Sequence, residues 1–595
     1  MNEFLERLKQ RKLVQWTLAY LAASFALIQV LDVIAQRFGW SEMAMRVAII
    51  ALGVGFCVAM VVAWYHGERG AQRVSGIELL ILALLLAIGG AVVSRFAPPS
   101  PASSSETGPA PPAASIPNKS IAVLAFADLS ATHDQGYFSD GIAEELQSAL
   151  TRLNDLKVAG RSSSFYYKGR NEDLRTIGKA LGVANVLEGS VRKQGDRVRI
   201  TAQLVRTDDD FTVWTQTYDG DLTDVFALQE RIARAITDKL EVTLQGDQQK
   251  TIVPVATSSP EAYALYLQAS GVFIRRDGAH FLEAIAQLER ALQLDPKFAR
   301  AHARLASLLS VATNYVPYDF AASMAGAEDH AHRATELDPK LAEPHAALGQ
   351  ALLRQRRFVE SLAALERAVA LDPTDETAMF WYAANLNTFG YIRRGEELLD
   401  RVLAIDPRLP TALNWRGLLY AYSGDISSAE QLLRRSAEVK LAFAGMGLSL
   451  VAASRGQTEE AVDELAAGFK PIQLDLSDAE LHVLARGIVG DSAARTAALT
   501  LIDEYLRRPQ TSNGVIAYAL IRLGDPARAL AITQEHASPN DSSYQIILWS
   551  PYGRPARLLP QFSAYVRKIG FAAVWDRFGE PDYCHKQASG EYACE

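Results

Sequence analysis

Cysteine is scarce, with three residues (Cys57, Cys584 and Cys594) in a chain of 595. None lies in a CxxC pair or at zinc spacing with histidine, so a structural zinc site is not expected. A basic excess is missing too. The net charge is −8 and the pI about 5.8, which argues against a nucleic-acid binder. The chain has no GxxxxGK[ST] phosphate loop, no HExxH helix and no GxSxG elbow. His330 and His332 stand two apart on an expected helix, so their rings point to different sides. No catalytic set, metal site or cofactor is expected.

What the sequence does contain is unevenly spread. Three long apolar runs, about 13–35, 47–65 and 76–94, fall in the first 96 residues. Each approaches the ~20 residues that cross a hydrocarbon core, so residues 1–96 read as a three-helix membrane anchor. Arg7, Lys9, Arg11, Lys12, Arg69 and Arg73 lie on one side of these runs, against Arg37, Arg46 and Arg95 on the other. That bias puts the N-terminus in the cytoplasm. The expected location is a multi-pass protein of a bacterial inner membrane, its soluble region periplasmic. A spacer rich in Pro, Ser and Ala follows over 97–117.

Residues 118–245 read as a small α/β domain. SIAVLAF (Ser120–Phe126) is a short apolar, β-prone run. Val198, Ile200, Ala202 and Leu204 alternate with polar residues, and Gly195-Asp196 marks a hairpin turn before them. Ser139 or Asp140 is a candidate cap for a helix reaching about Leu153. The pieces SIAVLAFADLS, YFSDGIAEELQSAL, RSSSFYYKGR, ANVLEGSVRKQGDRVRITAQLV and VWTQTYDGDLTDVFALQERIARAI occur in this order. Together they resemble the TolB amino-terminal-like (FlgO-like) domain of bacterial envelope proteins. That domain also occurs beside tetratricopeptide repeats, in class III adenylate cyclases and in winged-helix regulators. The resemblance implies no catalytic centre. Tyr137, Phe138, Ser139, Asp140 and Gly141 are candidates for a ligand-facing loop, against a plain turn and helix cap.

From 259 to 569 the chain carries internal repeats. Leu-Asp-Pro recurs with its aspartate at Asp295, Asp338 and Asp372, then as Ile405-Asp406-Pro407. The spacing is 34 between Asp338 and Asp372, and again to Asp406. This is the tetratricopeptide period. The 43 residues from Asp295 to Asp338 imply an insertion around 311–321. The unit Ala342–Asp375 fits the pattern best. Leu348-Gly349 supplies a large and then a small residue, Leu365 and Ala368 face it, and Pro373 ends the unit. Six to eight such units would stack into an all-α superhelix with a concave binding face. By position Glu343, Gln350, Arg354, Phe380, Asn387 and Asn414 are its candidate partner-binding residues. A tail over 570–595 holds Cys584 and Cys594, which could pair if that end lies outside the cytosol.

These features point to a membrane-anchored, non-enzymatic scaffold for protein or peptide partners, in envelope assembly or sensing. The alternatives are a regulatory subunit of a cyclase- or transcription-linked signalling system, and an enzyme with an unrecognised site in the α/β domain. Neither the partner nor the oligomeric state is specified by the sequence.

Overall fold

The computed structural model describes Ser24 and residues 116–595, apart from 276, 439–443, 471–473, 491, 509–512 and 536–540. Residues 115–595 form one compact unit.

Its first part is a sheet of order β3-β1-β4-β5-β6, with β2 on the flank of β4. The strands are β1 Ser120–Val123, β2 Ala127–Asp128, β3 Lys157–Val158, β4 Asn185–Gln194, β5 Arg197–Arg206 and β6 Thr212–Asp221. β1 runs parallel to β3 and β4, while β4, β5 and β6 form an antiparallel meander. The alternation in β5 does what period-two patterning requires. Val198, Ile200, Ala202 and Leu204 are buried, and Arg199 meets Asp219 on the wet face. Helices α1 Gly136–Thr151, α2 Arg161–Phe165, α3 Leu174–Leu181 and α4 Val225–Lys239 complete this part. Asp173 caps α3 by accepting from Thr176 N–H, and Gly182 closes it in the left-handed region.

Eight helical hairpins follow among the described residues. They are α5 Pro260–Arg275 with α6 Phe281–Leu294, α7 Ala299–Val311 with α8 Phe320–Leu337, and α9 Glu343–Arg354 with α10 Phe358–Leu371. Next come α11 Glu376–Thr388 with α12 Ile392–Ile405, α13 Pro410–Ser423 with α14 Ile426–Ala437, and α15 Ala444–Ser454 with α16 Thr458–Phe469. The last two are α17 Asp478–Val489 with α18 Ser492–Tyr505, and α19 Asn513–Arg522 with α20 Pro526–Glu535. Gly349 shows why the small residue is needed. A Cβ there would lie 2.5 Å from Leu365 Cγ, and Ser361 Oγ donates to the Gly349 carbonyl at 2.6 Å. The extra residues around 311–321 form a short 3-10 turn, Ala312–Asn314, and the approach to α8.

The C-terminal helices α21 Phe562–Ile569 and α22 Phe571–Phe578 turn back onto the middle of the array. Trp575 Nε1 donates to the Phe389 carbonyl at 2.8 Å, and Tyr391 hydroxyl to that of Gly579 at 2.6 Å. The strands β7 Cys584–Lys586 and β8 Tyr592–Cys594 pair antiparallel, and Cys584 is disulfide-bonded to Cys594.

The expected architecture of three membrane helices ahead of these parts is corrected. Among the described residues no helix is long and apolar enough to cross a membrane. The longest, α8, has 18 residues but carries Glu328, Asp329, Arg333 and Glu336, charges too costly for a hydrocarbon core. Apart from Ser24, the runs 13–35, 47–65 and 76–94 lie outside the described residues. The multi-pass inner-membrane, periplasmic location loses its support with them.

Four histidines fall near the α7–α9 junction, and two of them touch. His302 Nδ1 lies 2.8 Å from His330 Nδ1, and His302 Nε2 lies 3.2 Å from the Pro296 carbonyl. A carbonyl only accepts, so His302 carries its proton on Nε2 and takes the His330 Nδ1–H. Burial, and for His330 the neighbouring His302, disfavours a second charge, pushing His302 down and His330 to about 4. The unfolded chain takes up protons near pH 6.5 and the fold resists until about pH 4. Stability is therefore full above pH 6.5 and falls as pH drops, by up to about 3 kcal/mol at pH 4 from His330. Urea melts from pH 7 to 4.5 should show this slope, and His330→Gln should flatten it.

Candidate functional site

The repeat aspartates organise the site. Each keeps a carboxylate oxygen for its own turn: Asp295 for Lys297 N–H, Asp338 for Lys340 N–H and Asp372 for Thr374 N–H. This is the ordinary Asx-turn chemistry of a helix end. Asp406 does more. Its carboxylate, fully buried, accepts Ser162 N–H at 2.8 Å, Ser163 N–H at 2.9 Å and the Ser163 hydroxyl. Gly160 N–H donates to the neighbouring Ile405 carbonyl at 2.7 Å. The start of α2 is thereby clamped to the fourth Asp-Pro turn. Position 160 must be glycine, because a Cβ there would collide with the Asp406 backbone and side chain. Arg408 adds a stack over Tyr166, 3.5 Å from the ring centroid, and Arg170 covers the same ring at 3.8 Å.

A second clamp joins α1 to α7. Arg300 grips Glu145 through both guanidinium ends, one contact at 2.7 Å. The Glu145 side chain is 4% exposed. Between the clamps, α1 and α2 face the first helices of five successive hairpins. They enclose a chamber of about 700 Å³, within the ~300–1,000 Å³ usual for ligand sites.

The chamber lining is strongly charged and partly aromatic. Arg152, Arg161, Arg275, Arg300, Arg304, Glu144, Glu343, Asp375 and Glu376 line it, with Phe165, Tyr315 and Trp381. Arg304 pairs with Glu343 at 2.8 Å and Arg161 with Glu144 at 3.3 Å. Asp375 caps α11, accepting from Thr377 and Ala378 N–H. Enclosure in the chamber raises its carboxyl to about 6, with Asp372 and Glu343 adding repulsion. Glu376 is raised as well, first by burial and then by Asp406 and Asp375. Arg152, exposed within the chamber, is lowered, first by the desolvating protein around it and then by the like charge of Arg300.

Of the six inner-face candidates, Glu343 alone lines the chamber. Phe380 is buried edge-on to Trp415, 6.4 Å between centroids. Asn387 and Asn414 are buried, and Asn387 meets Gly395 of the partner helix in its hairpin. Arg354 is buried, donating to the Ser310 carbonyl and Thr313. Gln350 is half-buried outside the chamber.

The loop expected at Tyr137–Gly141 is corrected: these residues open α1. Phe138 and Gly141 are buried, with Leu267 of α5 only 2.8 Å from where a Gly141 Cβ would sit. Asp140 is paired with Lys168 at 2.7 Å. Packing by the first repeat helix covers Gly141, while Tyr137 and Asp140 stay half-buried. The residues that sequence reasoning missed are Gly160, Arg152, Asp375 and Glu376. Only the Asp406 position carried a signal, its place in the Asp-Pro series.

Residues 342–375 match the tetratricopeptide repeat family model. A curated relative from Rhizobium meliloti (strain 1021), named Putative adenylate cyclase 3, is 39% identical over 197 residues. The match covers 33% of this chain and 34% of the relative, so this chain spans about a third of that protein's length. Among solved structures, PilW, a widely conserved type IV pilus biogenesis factor, is 21% identical with a TM-score of 0.28. It covers 36% of this chain and 96% of its own. YrrB, described as a TPR protein with an unusual peptide-binding site, is 20% identical with a TM-score of 0.22, covering 33% and 92%. The chain thus contains tetratricopeptide repeats.

Two variants probe the site. Asp406→Ala leaves three donors of α2 without their acceptor, and each orphaned donor costs about 1–3 kcal/mol. Undocking should appear as an unfolding free energy, from urea melts, lowered by at least about 2 kcal/mol and as faster limited proteolysis before residue 260. Asp375→Asn keeps the helix cap and removes the charge. The wild-type carboxyl titrates near 3.8 when unfolded and near 6 when folded. The fold therefore loses stability as pH rises through that window. The Asn variant should melt at or above wild type at pH 7.5, with the gain gone below pH 4.

Proposed function

We propose that this protein is a non-enzymatic interaction scaffold that holds a protein or peptide segment against the inner face of its repeats. The α/β part, of the TolB amino-terminal-like kind, is in this reading a fixed wall of the binding site. The observation that carries the reading is the chamber itself. Its floor is made by the first helices of five hairpins and its wall by α1 and α2. Unlike an open superhelix, which offers a long groove, this array admits a partner only where the wall leaves space. Arginine and aromatic side chains in that space are the types that anchor partners in buried pockets.

A second reading is a regulatory module of a signalling system, with the chamber as its sensor. The 39%-identical segment shared with a relative named as an adenylate cyclase favours it.

The test is site-specific photo-crosslinking in the native host. A crosslinking residue replaces Thr377, which lines the chamber, or Leu282, an exposed apolar residue outside it. A partner trapped from position 377 and not from 282 supports the scaffold. Trapping of nothing from 377, with cellular cyclic AMP altered on deletion of the gene, favours the second reading.

A further inference from the structure

The chamber's charges can be balanced one by one, and the balance leaves a remainder of both signs. Arg300 is satisfied by Glu145, Arg408 faces Glu438 at 3.8 Å, Arg435 donates to the Pro407 carbonyl and Asp372 accepts from Thr374 N–H. Arg161 pairs with Glu144 at 3.3 Å, though its buried Nε has no hydrogen-bond acceptor. Arg304 faces Glu343 through Nε, but its buried Nη1 has no hydrogen-bond acceptor. Arg152 and Arg275 line the chamber with exposed side chains, and no ion-pair or hydrogen-bond partner meets their guanidinium groups among the described residues. At the start of α11 the remainder is acidic. Asp375 and Glu376 line the chamber and no cation pairs with either among the described residues. Crowding with Asp372 and Asp406 makes a second negative charge there unfavourable.

A purely anionic ligand would neutralise the arginines and be opposed by Asp375 and Glu376. A purely cationic ligand would meet the reverse. A molecule with one charge of each sign answers both ends, and half-buried Tyr315 and buried Trp381 give an apolar surface for what lies between. An ammonium beside two crowded carboxyls relieves their repulsion, and a carboxylate accepts the planar donor fork of arginine.

We propose that the chamber binds a small dipolar ligand, a free amino acid or a short peptide with both ends uncapped. Its carboxylate meets Arg152, Arg275 and Arg304 Nη1, and its ammonium meets Asp375 and Glu376. This inference rests on the chamber being the binding site and adds the class of ligand.

The test is titration calorimetry on the purified full-length protein. The probes are L-alanine, L-phenylalanine, tetra-alanine, N-acetyl-tetra-alanine and tetra-alanine amide. Binding of a free amino acid assigns the site to amino acids. Binding of tetra-alanine alone assigns it to peptide ends. If tetra-alanine binds, capping either end should weaken it by about tenfold or more, the loss of one charge-assisted contact in the chamber. Glu376→Gln should erase the penalty for acetylation, and Arg152→Gln the penalty for amidation. If only amino acids bind, the same two variants should each weaken them by about tenfold. The proposal is overturned if no probe binds at about 10 mM, near the weak limit of specific recognition. Binding indifferent to both caps overturns it equally, and the cap series needs only the wild-type protein. A partner crosslinked at Thr377 with no response to any probe would sink this inference alone and leave the scaffold standing.

Discussion

One carboxylate, that of Asp406, takes its ligands from a segment about 240 residues earlier in the chain, and the chamber exists because of it. In the earlier repeats the equivalent aspartate serves its own turn, with Asp295 also reaching the Thr257 hydroxyl that leads into the array. In the fourth copy the carboxylate keeps its own turn through Arg408 N–H and also receives the first N–H groups of α2. A carboxylate at such a helix start is favoured by the unpaired N–H groups and their partial positive charge. Buried, it would be costly without them. Each side thus satisfies the other, and neither has water to fall back on.

The rest of the interface follows from that anchor and from α5. This first repeat helix is buried over most of its circumference, as an element serving two cores must be. Tyr263 packs on Phe226 of α4 at 4.6 Å and receives a hydrogen bond from Gln229, while Tyr266 packs on Phe298 at the start of the next hairpin. A single apolar cluster therefore runs from the sheet into the repeats. At the far end, α21 and α22 bring Trp575 and Phe571 against Phe389 and Phe358. The array is braced at its start by the sheet and at its middle by its own C-terminus.

The repeats were legible because their signal is local and periodic. The 34-residue spacing of Asp-Pro turns and the Gly349–Leu365 contact both arise within one unit, so a single unit displays them. The unit picked out from its residues, 342–375, is the one the family model matches. Alternation in β5 was legible for the same reason. The inner-face residues were not. Position within a repeat says which helix side a residue occupies, but not whether the next helix packs over it. Phe380 and Asn414 went into such contacts. The membrane expectation came from apolar runs outside the described residues, and no described helix carries it.

The sequence by itself determined the repeat unit, the strand faces and the lack of a recognisable catalytic motif, since each is written in neighbouring residues. Tertiary structure alone decided that the concave face is walled, that Glu343 and not its fellow candidates lines the chamber, and that Arg152, Asp375 and Glu376 come to line it together. Those facts depend on a few hydrogen bonds between residues more than two hundred positions apart. Their strength comes from burial, and burial is a property of the assembled fold that no local pattern records.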